Sequence, residues 1–160
     1  MNFYSEGIAS LPFIHTMTLA KTHATASITR DAAQALLVAV REAAAGLGIE
    51  VATAITDAGG HLVAFERSDK TPFLAGDVAI DKAWTATSFG LDTHVWNAIV
   101  QDPKVTALAY RPRMTPVGGG LAIRLDGRVI GGVGVSGATA DQDQQAAEAA
   151  LRALGFQVAG

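Results

Sequence analysis

Histidines are the residues in this chain best suited to proton transfer or metal binding, and there are four of them: His15, His23, His61 and His94. Imidazole is the one side chain whose ordinary pKa lies between 5 and 8, so each can carry a proton or ligate a metal. No two histidines have the H-x-x-x-H spacing of a helical zinc site. Any metal would therefore depend on a single imidazole, although a lone histidine is more often an ordinary surface residue.

Four charged residues stand at the ends of the elements that the sequence predicts, or in the long loop 102–120: Arg67, Asp69, Lys82 and Arg113. Such positions are where a scaffold holds functional side chains. Candidate proton shuttles are His61, Asp69 and His94, and candidate groups for binding an anion are Arg67, Lys82 and Arg113. The alternative is that these charges are simply solvated.

The run Gly132 to Gly137 matches G-x-G-x-x-G and stands between a predicted strand and a predicted helix. A dinucleotide fold would need a further parallel strand and an acidic residue some 20 positions on, but residues 138–160 provide only one helix and a tail. Two interpretations are left. The glycines let strand and helix approach closely, or Gly134, Ser136 and Gly137 bind an anion at the helix N-terminus.

Composition excludes several classes of protein. The absence of cysteine removes disulfides and thiolate metal sites. A net charge of −3 gives no basic footprint for nucleic acid, and no apolar run reaches the roughly 18 residues of a membrane span. Because 49% of residues are hydrophobic and 17% charged, we expect apolar surface to be buried between subunits of a homo-oligomer. The N-terminus lacks a basic signal region, which predicts a cytoplasmic protein.

Hydrophobic periodicity predicts the order β(?)-α-ββ-αα-ββ-α. The first helix is capped by Ser27 or Thr29. Turns at residues 57–60 and 126–127 make two hairpins. The second helix is expected to turn Leu74, Val78, Ala79, Ala83 and Ala86 inward, and a closing helix covers 141–154. Hairpins joined by helices indicate an antiparallel sheet in an α+β domain. Residues 26–160 form that single domain, and residues 1–25 are an N-terminal arm or an edge strand.

Three blocks of the sequence resemble the GlcG/HbpS family, which includes the C-terminal domain of PduO. They are ITDAGGHLVAFERSD, then Lys82-Ala83 followed by Thr85-Ala86, and GGGLAIRLDGRVIGGVGVSGATADQDQQAA. The resemblance spans about residues 26–155. It implies a profilin-like or roadblock-like α-β-α sandwich with a five-stranded antiparallel sheet. It also implies assembly into dimers or larger oligomers and, in many members, haem binding.

The sequence departs from the family pattern at Ser68, Lys70 and Ala122, beside the expected pocket. Three functions remain open. The first is haem binding or sensing, with His23 as iron ligand and Arg67 or Lys82 meeting a propionate. The second is a cofactor-free enzyme, such as an isomerase or hydratase/lyase, acting on a small, possibly aromatic pathway intermediate. The third is an assembly or regulatory partner of another protein.

Overall fold

The computed structural model describes residues 19–159, which form a four-stranded antiparallel sheet between two layers of helices. The strand order is β2-β1-β4-β3. The elements in chain order are α1 (Arg30–Leu47), β1 (Ala52–Asp57), β2 (Leu62–Arg67), α2 (Phe73–Phe89), α3 (Thr93–Ile99), a 3-10 helix (Thr106–Tyr110), β3 (Gly120–Leu125), β4 (Arg128–Ser136) and α4 (Ala140–Ala153).

Helices α1 and α4 cover one face of the sheet. Thr29 caps α1 by accepting a hydrogen bond from the Ala32 amide, and α1 ends at Gly48 in the left-handed conformation. Thr139 and Gln142 form a capping box on α4. Leu36, Val40, Ile55, Val133 and Leu151 are members of the main core between these helices and the sheet. The predicted first and last helices are confirmed.

Helix α2 covers the other face, and it packs through its smallest residues. Ala79, Ala83 and Ala86 are fully buried. A Cβ atom on Gly134 would lie only 1.9 Å from the carbonyl oxygen of Ala79. β4 can therefore lie this close to α2 only because residue 134 is a glycine. The close-approach interpretation of the glycine motif is confirmed there. Leu74, predicted to point inward, is 60% exposed, because the helix turns alanines toward the glycine strand.

Both hairpins form as predicted. The turn between β3 and β4 holds Asp126 at φ 50° and Gly127 at φ 73°, and two successive positive φ values match the twist of a tight antiparallel hairpin. At the β1–β2 turn Gly60 has φ 80°. The hairpins set the register that brings Ala52 opposite Arg67 and Arg124 opposite Val129.

The expected five-stranded sheet is wrong for the described part of the chain, which has four strands. Residues 19–27 lie in no helix or strand and are exposed. A single backbone hydrogen bond of 2.8 Å, from the Ile28 amide to the Ile130 carbonyl, brings the segment to β4 before α1 begins. The rest of the predicted arm, including His15, falls on residues 1–18, outside the described residues.

Candidate functional site

One rung of the sheet brings together residues far apart in sequence. Ala52 pairs with Arg67 of β2 on one side and with Ser136 of β4 on the other. Adjacent strands lie about 4.8 Å apart, so the Cα atoms of Arg67 and Ser136 are about 10 Å apart. Residues on one rung share a face, and Ala52 packs against Ala75 and Ala79. The predicted ligand residues Arg67 and Ser136 therefore flank the first turns of α2.

A groove of about 290 Å³ opens beside this rung, between the start of α2 and the turn after β4. We call it the α2 groove. Its walls are apolar side chains of α2, with the Ser136 residue and the Gly137 and Ala138 backbone opposite; the lining residues are Pro72, Leu74, Ala75, Val78, Ser136, Gly137 and Ala138. Two predicted ligand residues, Ser136 and Gly137, line it.

Thr71 connects the two sides of this region. The Arg67 guanidinium donates a hydrogen bond of 3.2 Å to the Thr71 carbonyl. A Cβ atom on Gly137 would lie 3.3 Å from the Thr71 side chain, and Thr71 is itself 3% exposed. Arg67 is exposed, and this hydrogen bond holds its guanidinium beside Thr71, the residue before Pro72 of the groove. It can meet the anionic edge of a bound molecule from there.

Lys82 lies beneath the groove rather than in it. Its ammonium group donates to the Val135 carbonyl at 2.9 Å and to Asp143 Oδ2 at 3.0 Å. The other carboxylate oxygen of Asp143 accepts a 3.1 Å hydrogen bond from the Ala138 amide. Burial lowers the pKa of Lys82, and the Asp143 carboxylate opposes that effect. Lys82 thus holds the turn that forms one wall of the groove, and its charge is already matched.

Few backbone amides at the N-terminus of α4 are free to donate a hydrogen bond to an anion. The Ala138 amide is bound by Asp143, and the Thr139 amide donates to Gln142 Oε1 at 3.3 Å. Asp141 and Asp143 also place negative charge in the first turn. Gly134 is covered by Ala79 and cannot touch a ligand. The arrangement disfavours the anion site predicted for the glycine motif, because the protein's own acceptors occupy it.

A second, smaller pocket of about 220 Å³ lies at the other end of α2, and we call it the Trp84 pocket. The lining residues are Ala58, Gly59, Gly60, Trp84, Thr87 and Ser88. His61 packs over Gly59, since a Cβ atom on that glycine would meet the imidazole at 2.9 Å. His61 Nδ1 lies 3.2 Å from Asp57 Oδ1. The carboxylate orients the imidazole and leaves Nε2 available.

The ionisation of Asp57 follows from its surroundings. Partial burial would raise the pKa of Asp57, but hydrogen bonds from the His61 and Gly59 amides and the nearby imidazole together lower it. Asp57 is therefore a stable anion next to His61. A carboxylate that holds an imidazole in this way is a common support for proton transfer.

The remaining predicted site residues are spread over the surface. Arg113 binds Asp81 at 3.0 Å and stacks over the Trp84 ring at 4.8 Å. Asp69 is exposed and lines a different cleft, beside β2, which Arg67 also lines. His94 is exposed on α3 and His23 on the segment before α1. The structure does not gather the predicted shuttles His61, Asp69 and His94 into one site.

Several residues of the site were not predicted. Pro72, Leu74 and Val78 form the apolar wall of the α2 groove, and Asp143 holds its turn. Leu74 and Val78 were identified only as inward-facing core residues. The available signal for Asp143 was an acidic residue in the first turn of a helix that follows a glycine-rich strand. Within residues 19–159, no cluster of three His, Asp or Glu side chains could hold a metal ion.

The chain matches known proteins over most of its length. Residues 28–152 match the family model described as haem degrading protein HbpS-like. The chain is 36% identical over 135 residues to an uncharacterized 15.0 kDa protein in the dhaT-dhaS intergenic region of Citrobacter freundii. That match covers 82% of this chain and 94% of the relative. It is 35% identical over 109 residues to protein GlcG of Escherichia coli K12, covering 68% of this chain and 81% of GlcG.

A solved structure has a fold similar to that of this chain. The crystal structure of a PduOC:heme complex superposes with a TM-score of 0.75 at 28% identity, covering 84% of this chain and 99% of that one. No helix among residues 19–159 combines the length and hydrophobicity needed to span a membrane.

Proposed function

This chain belongs to the HbpS-like (GlcG/HbpS) family, and from that premise we propose that it binds haem, with the α2 groove receiving the apolar face of the macrocycle. The observation that carries the proposal is the groove itself, whose apolar wall is built from Pro72, Leu74, Ala75 and Val78. Arg67 is tied to the residue before Pro72 by its hydrogen bond to the Thr71 carbonyl. Support also comes from the PduOC:heme complex, which has a similar fold.

The side chains present fit a flat, apolar ligand with an anionic edge. Apolar walls with a few polar groups are typical of small-molecule sites. Among the predicted cations, Lys82 is buried against Asp143 and Arg113 is bound to Asp81, whereas Arg67 stands exposed and makes its side-chain hydrogen bond to a backbone carbonyl. We therefore assign propionate binding to Arg67. Guanidinium groups bind carboxylates with good geometry.

Bound haem would supply an iron that one neutral imidazole can ligate. None of the described histidines lines the α2 groove. Ser27, four residues after His23, receives a 2.9 Å hydrogen bond from the Ala58 amide at the opposite end of β1. His23 stays the proposed iron ligand. Four residues span at most about 14 Å, so the exposed segment before α1 would provide His23 to the α2 groove of a neighbouring subunit. His61 and His94 serve as the comparison histidines.

Titration of the purified protein with haemin tests this function. We expect a Soret band that saturates, and we expect His23→Ala to shift or abolish that band while His61→Ala and His94→Ala retain it. A protein that gives only the spectrum of free haemin would contradict haem binding. A spectrum unchanged by His23→Ala would contradict the assigned ligand but leave haem binding in place.

The groove is small and open, at the lower end of the roughly 300–1,000 Å³ of small-molecule sites, so one chain covers only part of a haem. Three large side chains are exposed to solvent. Phe73 and Phe89, at the two ends of α2, are 80% and 71% exposed, and Tyr110 at the end of the 3-10 helix is 83% exposed. Exposed apolar surface of this kind is typical of association sites. We propose that the chain forms a homo-oligomer, which sedimentation velocity would reveal as a species heavier than 16.5 kDa.

A second function is favoured by one observation, the Asp57–His61 pair, whose imidazole packs over Gly59 at the edge of the Trp84 pocket. An oriented imidazole next to a pocket suits proton transfer on a small substrate. The assay is deuterium exchange from solvent into enolisable carbonyl compounds such as pyruvate, followed by proton NMR. Faster exchange with the native protein than with His61→Ala would support this candidate function. Equal exchange rates with the two proteins would contradict it.

A further inference from the structure

A separate cavity of about 130 Å³ lies on the opposite face of the sheet, between the C-terminal half of α1 and the edge strand β2. We call it the α1 cavity. Ala44, Ile49, Val51 and Thr53 form its interior, Arg41 and Glu66 stand at its mouth, and Ala45, Glu50 and Ser68 complete the lining. At about 30 Å³ per water, it has room for roughly four waters or one molecule of a few heavy atoms. It shares no lining residue with the α2 groove.

Thr53 is the one polar side chain set deep in this cavity. It is 3% exposed and lies on β1, where it pairs with Glu66 of β2 and Val135 of β4. Within residues 19–159 its hydroxyl forms no hydrogen bond, whereas Thr56 on the same strand bonds to Thr87 at 2.9 Å. Buried polar groups nearly always have a partner. Among the described residues, the sealed side-chain polar atom without a partner is Trp96 Nε1 and not the Thr53 hydroxyl, so the hydroxyl opens onto the cavity, where it can hydrogen-bond to water or to a bound molecule.

An ion pair with two parallel hydrogen bonds lies at the mouth of the cavity. Arg41 Nε donates to Glu66 Oε1 at 2.7 Å, and Arg41 Nη2 donates to Glu66 Oε2 at 2.6 Å. The bonded Glu66 carboxylate raises the pKa of Arg41, so the guanidinium stays charged. This pair joins α1 to the edge strand across the opening. Arg41 and Glu66 match each other, and Glu50 adds a further carboxylate to the lining, so the mouth does not attract an anion.

These features define the chemistry of the occupant. Its inner end must be uncharged, since a charge placed among alanine, isoleucine and valine side chains would lose its hydration with no opposite charge beside it. The inner end must also hydrogen-bond to Thr53, which can donate or accept. We propose that the α1 cavity is a second ligand site, for a small neutral molecule that carries a hydroxyl or carbonyl group.

Amide chemical shifts measured by NMR during titration test this site. The probes are 2-butanone and 2-butanol, which match the proposed chemistry, and propanoate, which has the same number of heavy atoms but a charge. We expect saturable shifts centred on Val51, Thr53 and Ala44 with the two neutral probes and none there with propanoate. Absence of shifts at these amides with both neutral probes would overturn the proposal, as would equal binding of propanoate.

Substitution at Thr53 provides the matched control. Thr53→Val keeps the shape of the side chain and removes the hydroxyl, and we expect it to weaken binding of both neutral probes at least tenfold. Thr56→Val makes the same change on the same strand but on the face toward α2, and it should leave the affinity within twofold of the native value. Equal affinities of Thr53→Val and the native protein would contradict the assignment. Since the proposed haem site lies on the other face of the sheet, failure here leaves the proposed function untouched.

Discussion

Lys82 and Asp143 lie 3.0 Å apart inside the protein, each with 2% of its side chain exposed, and they join α2 to α4 across the end of β4. The same carboxylate binds the Ala138 amide, and the same ammonium binds the Val135 carbonyl. The turn that forms one wall of the α2 groove is therefore fixed by side chains from two helices. Its rigidity depends on a charge pair that never meets solvent.

Lys82→Met is expected to destabilise the protein by about 3–5 kcal/mol, because it leaves Asp143 buried without its partner charge. The free energy of unfolding in urea measures the effect. The double variant Lys82→Met with Asp143→Leu removes both charges, and we expect it to recover most of the loss. A double variant as unstable as the sum of the single variants would show that the two residues act independently.

Gly134→Ala is expected to cost about 3 kcal/mol or more, since its Cβ would overlap the Ala79 carbonyl and force α2 away from the sheet. Gly46→Ala is the matched control. Gly46 is in α1 with nothing within 4 Å of an added Cβ, so alanine there should stabilise by up to about 1 kcal/mol. The melting temperature should therefore fall in Gly134→Ala and rise or stay unchanged in Gly46→Ala. A decrease of similar size in both variants would contradict this packing.

The lowered pKa of Asp57 predicts a dependence of stability on pH. Because its pKa is lower in the folded state than its unfolded value of about 3.9, the carboxylate contributes its full stabilisation above about pH 5. That contribution disappears as pH falls through the folded pKa. The side chain is partly exposed, so the effect is expected to stay below about 1 kcal/mol.

Urea unfolding of the native protein and of Asp57→Asn at pH 6 and pH 3 measures this contribution. The native protein should have the larger free energy of unfolding at pH 6, and the difference in free energy between the two proteins should be smaller at pH 3. A difference that grows on acidification would have the wrong sign for this account.

Thr53 and Thr56 should respond oppositely to the same substitution in the protein without added ligand. Thr56→Val loses the hydrogen bond to Thr87 and is expected to cost about 1 kcal/mol. Thr53→Val loses no hydrogen bond to the described residues and gains an apolar contact in a cavity lined by Ile49 and Val51, so its melting temperature should equal or exceed the native one. A clear loss with Thr53→Val would mean that its hydroxyl has a protein partner.

Much of the fold could be predicted from local patterns. Thr29 and Gly48 signal the ends of α1, and Asp126-Gly127 signals a hairpin, because caps and turns depend on nearby residues. The rotation of α2 could not be predicted in this way. Its alanines face glycines some 50 residues later in β4, so the inward face is chosen by tertiary contact rather than by the placement of large apolar residues such as Leu74.

The site was only partly predictable for the same reason. Arg67 and Ser136 end strands that flank Ala52 on one rung, and Ser136 and Gly137 line the α2 groove, while their roles as ligand residues stay a prediction. Lys82 was identified as a charged residue near the site, but its burial depends on Asp143, which lies 61 residues further along the chain. The sequence therefore shows the positive charge of Lys82 but does not show that Asp143 is its partner.

The affinity for haemin of two leucine variants tests most directly whether the α2 groove holds the ligand. Leu74 forms the groove wall and is 60% exposed, while Leu125 is 46% exposed at the hairpin on the opposite end of β4. An aspartate should be tolerated by the fold at either position. We predict that Leu74→Asp weakens haemin binding at least tenfold and that Leu125→Asp leaves it unchanged. Native affinity in Leu74→Asp, in a protein with unchanged circular dichroism, would contradict the account.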